Sequence, residues 1–342
     1  MLLIIVGAGA SFDSIPSLDP KSHKSERRLP LAKDLFRNSA HFQNEIKKWP
    51  QMRPIVPYLR APRTGSIEEE FDRIAAESDW DRKVSNQLTA VRYYLRSVIS
   101  RCETMWMAEG RDGVTNYLTL FDLVRKHYPV DYSIVTFNYD TMIETSLGEM
   151  GRKFVRIEDY MSGRSGSLFK LHGSTNWGRK VSSIQSNSAP AEDFFKMEEI
   201  EQDRWIIDNS LGVKLTDNYV VHGTAGKGDI LFPAIAIPLK MKRTFECPAN
   251  HVGELKAHLS NVTKVVIIGW RASEGHFVDL LFEHLKFVDM LMVCGSQEAT
   301  EEVKGVFNKF SDTVVFSDYV GGFTDAILSG EISKFLSTKS TT

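Results

Sequence analysis

The stretch LLIIVGAGAS, residues 2 to 11, runs an unbroken apolar segment straight into Gly7-Ala8-Gly9-Ala10-Ser11. An apolar run without alternation suits a strand covered on both faces, as in a parallel sheet between layers of helix. YSIVTF (132–137), SLFKL (167–171), KVVIIG (264–269), DMLMVCG (289–295) and DTVVFSD (312–318) share that character. Among the last three, EGHFVDLLFEHLK and QEATEEVKGVFNKF fill the gaps with helical patterns of crossover length. The expected fold class is therefore α/β, a Rossmann-like doubly wound parallel sheet.

Two insertions interrupt this pattern. The first, 17–129, reads as helical: Val84, Leu88, Val91, Leu95, Val98 and Cys102 step by three and four residues along one face of a long helix. TNYLTLFDLVRKH (115–127) predicts a second helix, and SIEEEFDRIAAES (66–78) a third, with Ser66 and Glu69 at capping-box spacing. The second insertion, 179–249, starts polar and becomes strand-like in RWIIDNSLGVKL, NYVVHG and DILFPAIAIPL. The core is then discontinuous, 1–16, 130–178 and 250–330, and 331–342 reads as a frayed polar tail.

The chain of 342 residues is 42% hydrophobic and 25% charged, enough to bury a sizeable core. A net charge of -2 gives no global attraction to nucleic acid or an anionic membrane, and the basic run SHKSERR (22–28) reads as a solvated loop. Cys102, Cys247 and Cys294 are widely spaced, which supports neither a disulfide framework nor a cysteine zinc site and fits a reducing cytoplasm. The opening apolar run stops at Gly7, too early for a signal peptide. No stretch approaches the roughly 20 apolar residues that cross a bilayer.

Three short motifs sit at strand ends, where ligands bind in open parallel sheets. Glycines in GAGAS suit a tight turn and close approach to a phosphate at a helix start, although Phe12 stands where a third glycine would complete a dinucleotide fingerprint. A plain strand-to-helix turn is the ordinary alternative. In SIVTFNYDTMIE (133–144), Asn138 and Asp140 fall between a strand and a helix expected to start at Asp140 or Thr141, with Thr141 and Glu144 at capping-box spacing. Asp140 reads equally as an N-cap or a ligand contact, and Asn138 as a turn residue or a polar site group. His172, unlike the eight other histidines, directly follows a strand, in LFKLHGSTNW (168–177). Alone it reads as a packed or surface residue; with the other two motifs it completes a set able to converge on one cleft.

Gly7-Ala8-Gly9-Ala10-Ser11, Thr136-Phe137-Asn138-Tyr139-Asp140 and Leu171-His172-Gly173-Ser174, in that order, resemble the motif set of the sirtuin superfamily. Ser14 and Pro16 look sirtuin-like too, and VVIIGWRASEGH, with Gly269 and Ser273, resembles the glycine-serine loop after the fourth core strand. The four-cysteine zinc module of protein-deacylating sirtuins is missing, and Phe137 replaces their usual Gln. The chain is more similar to the zinc-less sirtuin-like NAD hydrolases of bacterial anti-phage defence; RLPLAKDLF (28–36) and SIEEEFDRI (66–74) share that likeness.

The resemblance implies an NAD glycohydrolase, cleaving NAD to nicotinamide and ADP-ribose with Asn138 and His172 as the essential pair and no metal. Gly7, Ala8, Gly9, Ala10, Ser11, Ser14, Thr136, Asp140, Gly173, Gly269 and Ser273 are the expected NAD contacts. In this scheme the GAGAS loop anchors the pyrophosphate, Asn138 orients the ribose or a water, Asp140 shapes the nicotinamide pocket, and His172 is the general base. The alternatives are an NAD-dependent protein deacylase or ADP-ribosyltransferase, and a non-catalytic module sensing NAD or ADP-ribose. An NAD-depleting effector of abortive infection must be gated. Homo-oligomerisation or a separate regulatory or sensor protein, for example an ATPase, is the expected means.

Overall fold

The computed structural model describes all residues except 16–27, 64, 77, 79, 109–113, 162–165, 186–190, 241–243, 309–313 and 339–342, and the side chains of 191–192. The expectations for Pro16 and for 22–27 lie outside the described residues. Nine described strands follow in chain order: β1 (Leu2–Val6), β2 (Tyr132–Thr136), β3 (Ser167–Lys170), β4 (Gly173–Ile184), β5 (Val213–Val221), β6 (Leu231–Ile235), β7 (Lys264–Ile268), β8 (Val288–Cys294) and β9 (Val314–Val320).

Two compact units divide the chain: residues 1–31, 102–172 and 247–342 form the first, and 32–101 and 173–246 the second. The first unit so defined takes in the helix Asn116–His127, part of the stretch read as a helical insertion. Its sheet has six strands in the order β3-β2-β1-β7-β8-β9, and every neighbouring pair is parallel. Counted along the chain within this sheet, the order is third, second, first, fourth, fifth, sixth. That is the doubly wound arrangement the apolar runs predict, and the direction of winding reverses between β1 and β7.

The physical reason is visible strand by strand. Every residue of β1, β2, β3, β7 and β8 is buried, so continuous apolarity was the right signature of strands covered on both faces. β9 lies at the edge and is largely exposed, leaving Val315 58% exposed. The helices Gly275–His284 and Gln297–Phe307 cross from β7 to β8 and from β8 to β9, as their patterns predict.

The tail is a correction. Residues 331–337 form a helix, with Ile332 and Leu336 buried. Lys264, at the start of β7, donates from Nζ to the Phe335 carbonyl at 2.7 Å and to Thr338 Oγ1 at 2.9 Å, which ties the helix end to the sheet.

The second unit holds an antiparallel sheet in the order β5-β4-β6. RWIID, read as strand-like, is the end of a helix, Glu199–Asp208, because Ile206 and Ile207 turn into the core at helical rather than alternating positions. The long helix Arg82–Met107 forms as expected. Its buried surface exceeds the predicted stripe: Tyr93, Tyr94 and Trp106 are fully buried too. Ser66 caps the helix Ile67–Ala75 by accepting from Glu69 N at 3.2 Å.

Candidate functional site

Val6, Thr136, Lys170 and Ile268 are in register at the carboxyl ends of β1, β2, β3 and β7. The turns that follow therefore share one sheet edge, beside the switch point. Adjacent strands are about 4.8 Å apart, so the turns after β1 and β3 are separated by roughly 10 Å.

The first turn packs on the turn after β7. A Cβ at Gly7 would lie 2.5 Å from the Gly269 carbonyl oxygen, one at Gly9 2.9 Å from Gly269 Cα, and one at Gly269, where φ is +60°, 2.3 Å from Ala10 N. Gly9 N donates to the Gly269 carbonyl, and Ala10 N to the Gly7 carbonyl, both at 3.0 Å. These glycines thus serve loop-to-loop packing first. Three backbone N–H groups, those of Gly7, Gly9 and Ala10, are satisfied by the protein itself, while Ala8 is exposed and Gly9 half-buried at the surface of the turn. Ala272, in the same β7 loop, is a non-glycine at φ 54°, a conformation that costs roughly 1–3 kcal/mol and that strand-end sites store. Ser273 beside it is exposed.

The first and second motifs are directly hydrogen-bonded. Asn138, 6% exposed, donates from Nδ2 to the Gly7 carbonyl at 2.9 Å and to Ser11 Oγ at 2.8 Å, while its own N–H reaches Thr136 Oγ1 at 3.1 Å. Thr136 Oγ1 in turn donates to the Val6 carbonyl at 3.1 Å. Ser11 Oγ lies 2.9 Å from the Tyr117 hydroxyl and also hydrogen-bonds the Asp140 carboxyl. Ser14 is fully buried and holds the Ser11 carbonyl at 2.7 Å, with Trp106 Nε1 donating to it at 2.9 Å. Ser11, Ser14 and Thr136 are accordingly inside the protein, fixing the loops that the expected NAD contacts would use.

Asp140 is buried as well. Its Oδ1 accepts from Met142 N at 3.2 Å, at the start of the helix Met142–Glu149, whose N-cap residue is Thr141, within the expected Asp140 or Thr141 start. The Thr141 and Glu144 capping box does not form, because both side chains have stronger partners. Thr141 donates its N–H and hydroxyl to Glu103 at 3.0 and 2.6 Å, and Glu144 pairs with Lys170 at 2.9 Å. Burial raises the Asp140 pKa, opposed by the Lys170 charge. Burial, reinforced by Asp140, pushes Glu103 up to about 7.

The third motif supplies an imidazole. His172 is half-buried, in the two-residue turn between β3 and β4; its ring centroid lies 5.0 Å from Phe137, edge to face, and 6.3 Å from Tyr139. Phe137 stacks on Trp270 at 5.4 Å, from the turn after β7. Gly173 begins β4 at φ +79°, where a Cβ would meet the Ala234 carbonyl oxygen at 1.9 Å, so it is fixed by strand packing. Phe137 and Tyr139 with His172, and Ser11 with Asn138 and Asp140, thus bring the motifs after β1, β2 and β3 into mutual contact. A hollow of about 550 Å³ lined in part by Pro50, Pro54 and Arg82 belongs to the second unit, and no candidate residue lines it.

Sequence reasoning missed Glu103, Tyr117, Lys170 and Trp270. Lys170 carried a signal, a charged residue inside an otherwise apolar strand; Glu103 and Tyr117 carried none, since their partners are remote in sequence. Among the described residues no group of three or more His, Cys, Asp or Glu side chains is arranged to hold a metal ion. No described helix is long and apolar enough to cross a membrane. Neither a protein-family model nor a curated protein matches the chain.

Proposed function

We propose that the chain is an NAD glycohydrolase, transferring the ADP-ribosyl group of NAD to water. The observation that carries the reading is the sharing of one carboxyl edge by the Gly7, Asn138 and His172 turns, on neighbouring strands beside the point where winding reverses. A dinucleotide lying on that edge would set its phosphates against Ala8 and Gly9 and its nicotinamide ribose toward His172.

The chemistry asked of the protein is modest. The nicotinamide ring departs with the bonding electrons of its N-glycosidic bond and becomes neutral, so positive charge develops on the ribose carbon. Water adds there and loses a proton. His172 accepts that proton, directly or through a ribose hydroxyl, and nicotinamide, ADP-ribose and H⁺ are the products. Asn138 is committed through Nδ2 to Gly7 and Ser11; its part is to hold the turn so that its carbonyl end and the Tyr139 ring face the ribose. Phe137 and Trp270 give the reacting end an apolar wall, which excludes bulk water. Asp140 stays behind this wall and shapes it.

In a cell such an activity would deplete NAD, as befits a gated effector of anti-phage defence acting in the cytoplasm as a homo-oligomer or with a sensor protein. Chromatography of the products tests the reading. The chain incubated with NAD, alone or with a candidate partner, is expected to yield nicotinamide and ADP-ribose in equal amounts. Release that requires an acetylated peptide would instead indicate a deacylase, and binding of NAD without product a sensing module.

A further inference from the structure

We propose that Lys170 is a positioning residue for bond cleavage, locking the turn that carries Asn138 to the strand that carries His172. The inference rests on the reading that Asn138 and His172 act as a pair.

β3 is a fully buried strand, and an apolar residue at position 170 would fill its place without the heavy desolvation of an ammonium. The Lys170 side chain is nevertheless 1% exposed. Its Nζ donates to the main-chain carbonyl of Asp140 and, at 2.9 Å, to Glu144 Oε1. One group therefore grips both the turn after β2 and the first turn of the helix Met142–Glu149, from a position two residues before His172.

The same turn is held from two other directions. Gly7 and Ser11 accept from Asn138, and Glu103 accepts both polar hydrogens of Thr141. Of these three anchors, only Lys170 belongs to the strand leading to His172; its side chain adds to the main-chain bond from Leu171 N to the Thr136 carbonyl, 3.0 Å, a second tie beyond the strand end that holds the Asn138 turn itself. A displacement near 1 Å at such a site costs about 100-fold in rate.

The test uses the full chain with Lys170→Met and Glu144→Gln combined, which removes the tether without leaving a buried carboxylate unpaired. Two quantities are read: amide hydrogen exchange across 138–142, and kcat and KM for nicotinamide release. We expect exchange on the order of 10-fold faster in that turn, and kcat lower by about 10- to 100-fold with KM little changed. Lys170→Arg, which keeps the charge but moves the donors, is expected to show the same two changes in smaller measure. Wild-type exchange and kcat in both variants would overturn the proposal, as would faster exchange with kcat unchanged. If the wild-type chain releases no nicotinamide, the functional reading fails, and the exchange result alone decides whether Lys170 holds the turn.

Discussion

Single residues in this protein are decided by what surrounds them more than by their type. Glu103 shows this through pH. Its carboxyl is raised by burial from an ordinary 4.5 to about 7, so between those values the folded chain keeps a proton that the unfolded chain releases. The stability this confers is complete below the unfolded value and is lost as pH rises through the folded one, at up to about 1.4 kcal/mol per pH unit. Glu103→Gln, which mimics the protonated form, is expected to flatten that part of the decline in melting temperature between pH 5 and 8; a slope equal to wild type would contradict the assignment. Gly269 shows the same dependence on surroundings through space. With φ at +60° and a would-be Cβ 2.3 Å from Ala10 N, Gly269→Ala is expected to destabilise the chain by about 1–3 kcal/mol, read by denaturant unfolding. The sequence reading gave these glycines to a ligand; the structure shows that the loops first need them for each other.

At the scale of elements, what was legible followed from local pattern. Five of the six core strands could be read because covering both faces leaves an unbroken apolar signature, and the cap at Ser66 because a side chain satisfies a neighbour three residues on. RWIID was misread because a short apolar run does not distinguish a strand from a buried helix. The tail was misread because Ile332 and Leu336 are sparse among polar residues, while the anchor that orders them, Lys264, lies on β7. Ile332→Ala is accordingly expected to cost about 2–5 kcal/mol, seen as a lowered midpoint of unfolding; no change would mean that the helix adds nothing to the core. The site divides in the same way. Its three motifs were legible as strand-end loops, whereas Glu103, Tyr117 and Lys170 make contacts that only the tertiary fold creates.

For the whole molecule, sheet order turns separate motifs into one site. Had β2 or β3 been placed beyond β7, the Asn138 turn would not stand between those of Gly7 and His172. The order β3-β2-β1-β7 sets all four turns on one edge and puts the change of winding direction among them. Whether that edge performs NAD cleavage is tested most directly by nicotinamide release from NAD, measured for the wild-type chain and for His172→Ala shown by circular dichroism to be folded, each with and without candidate partners. The account predicts release by the wild type and a rate about 100- to 10,000-fold lower in the variant. Equal rates for the two proteins would contradict it.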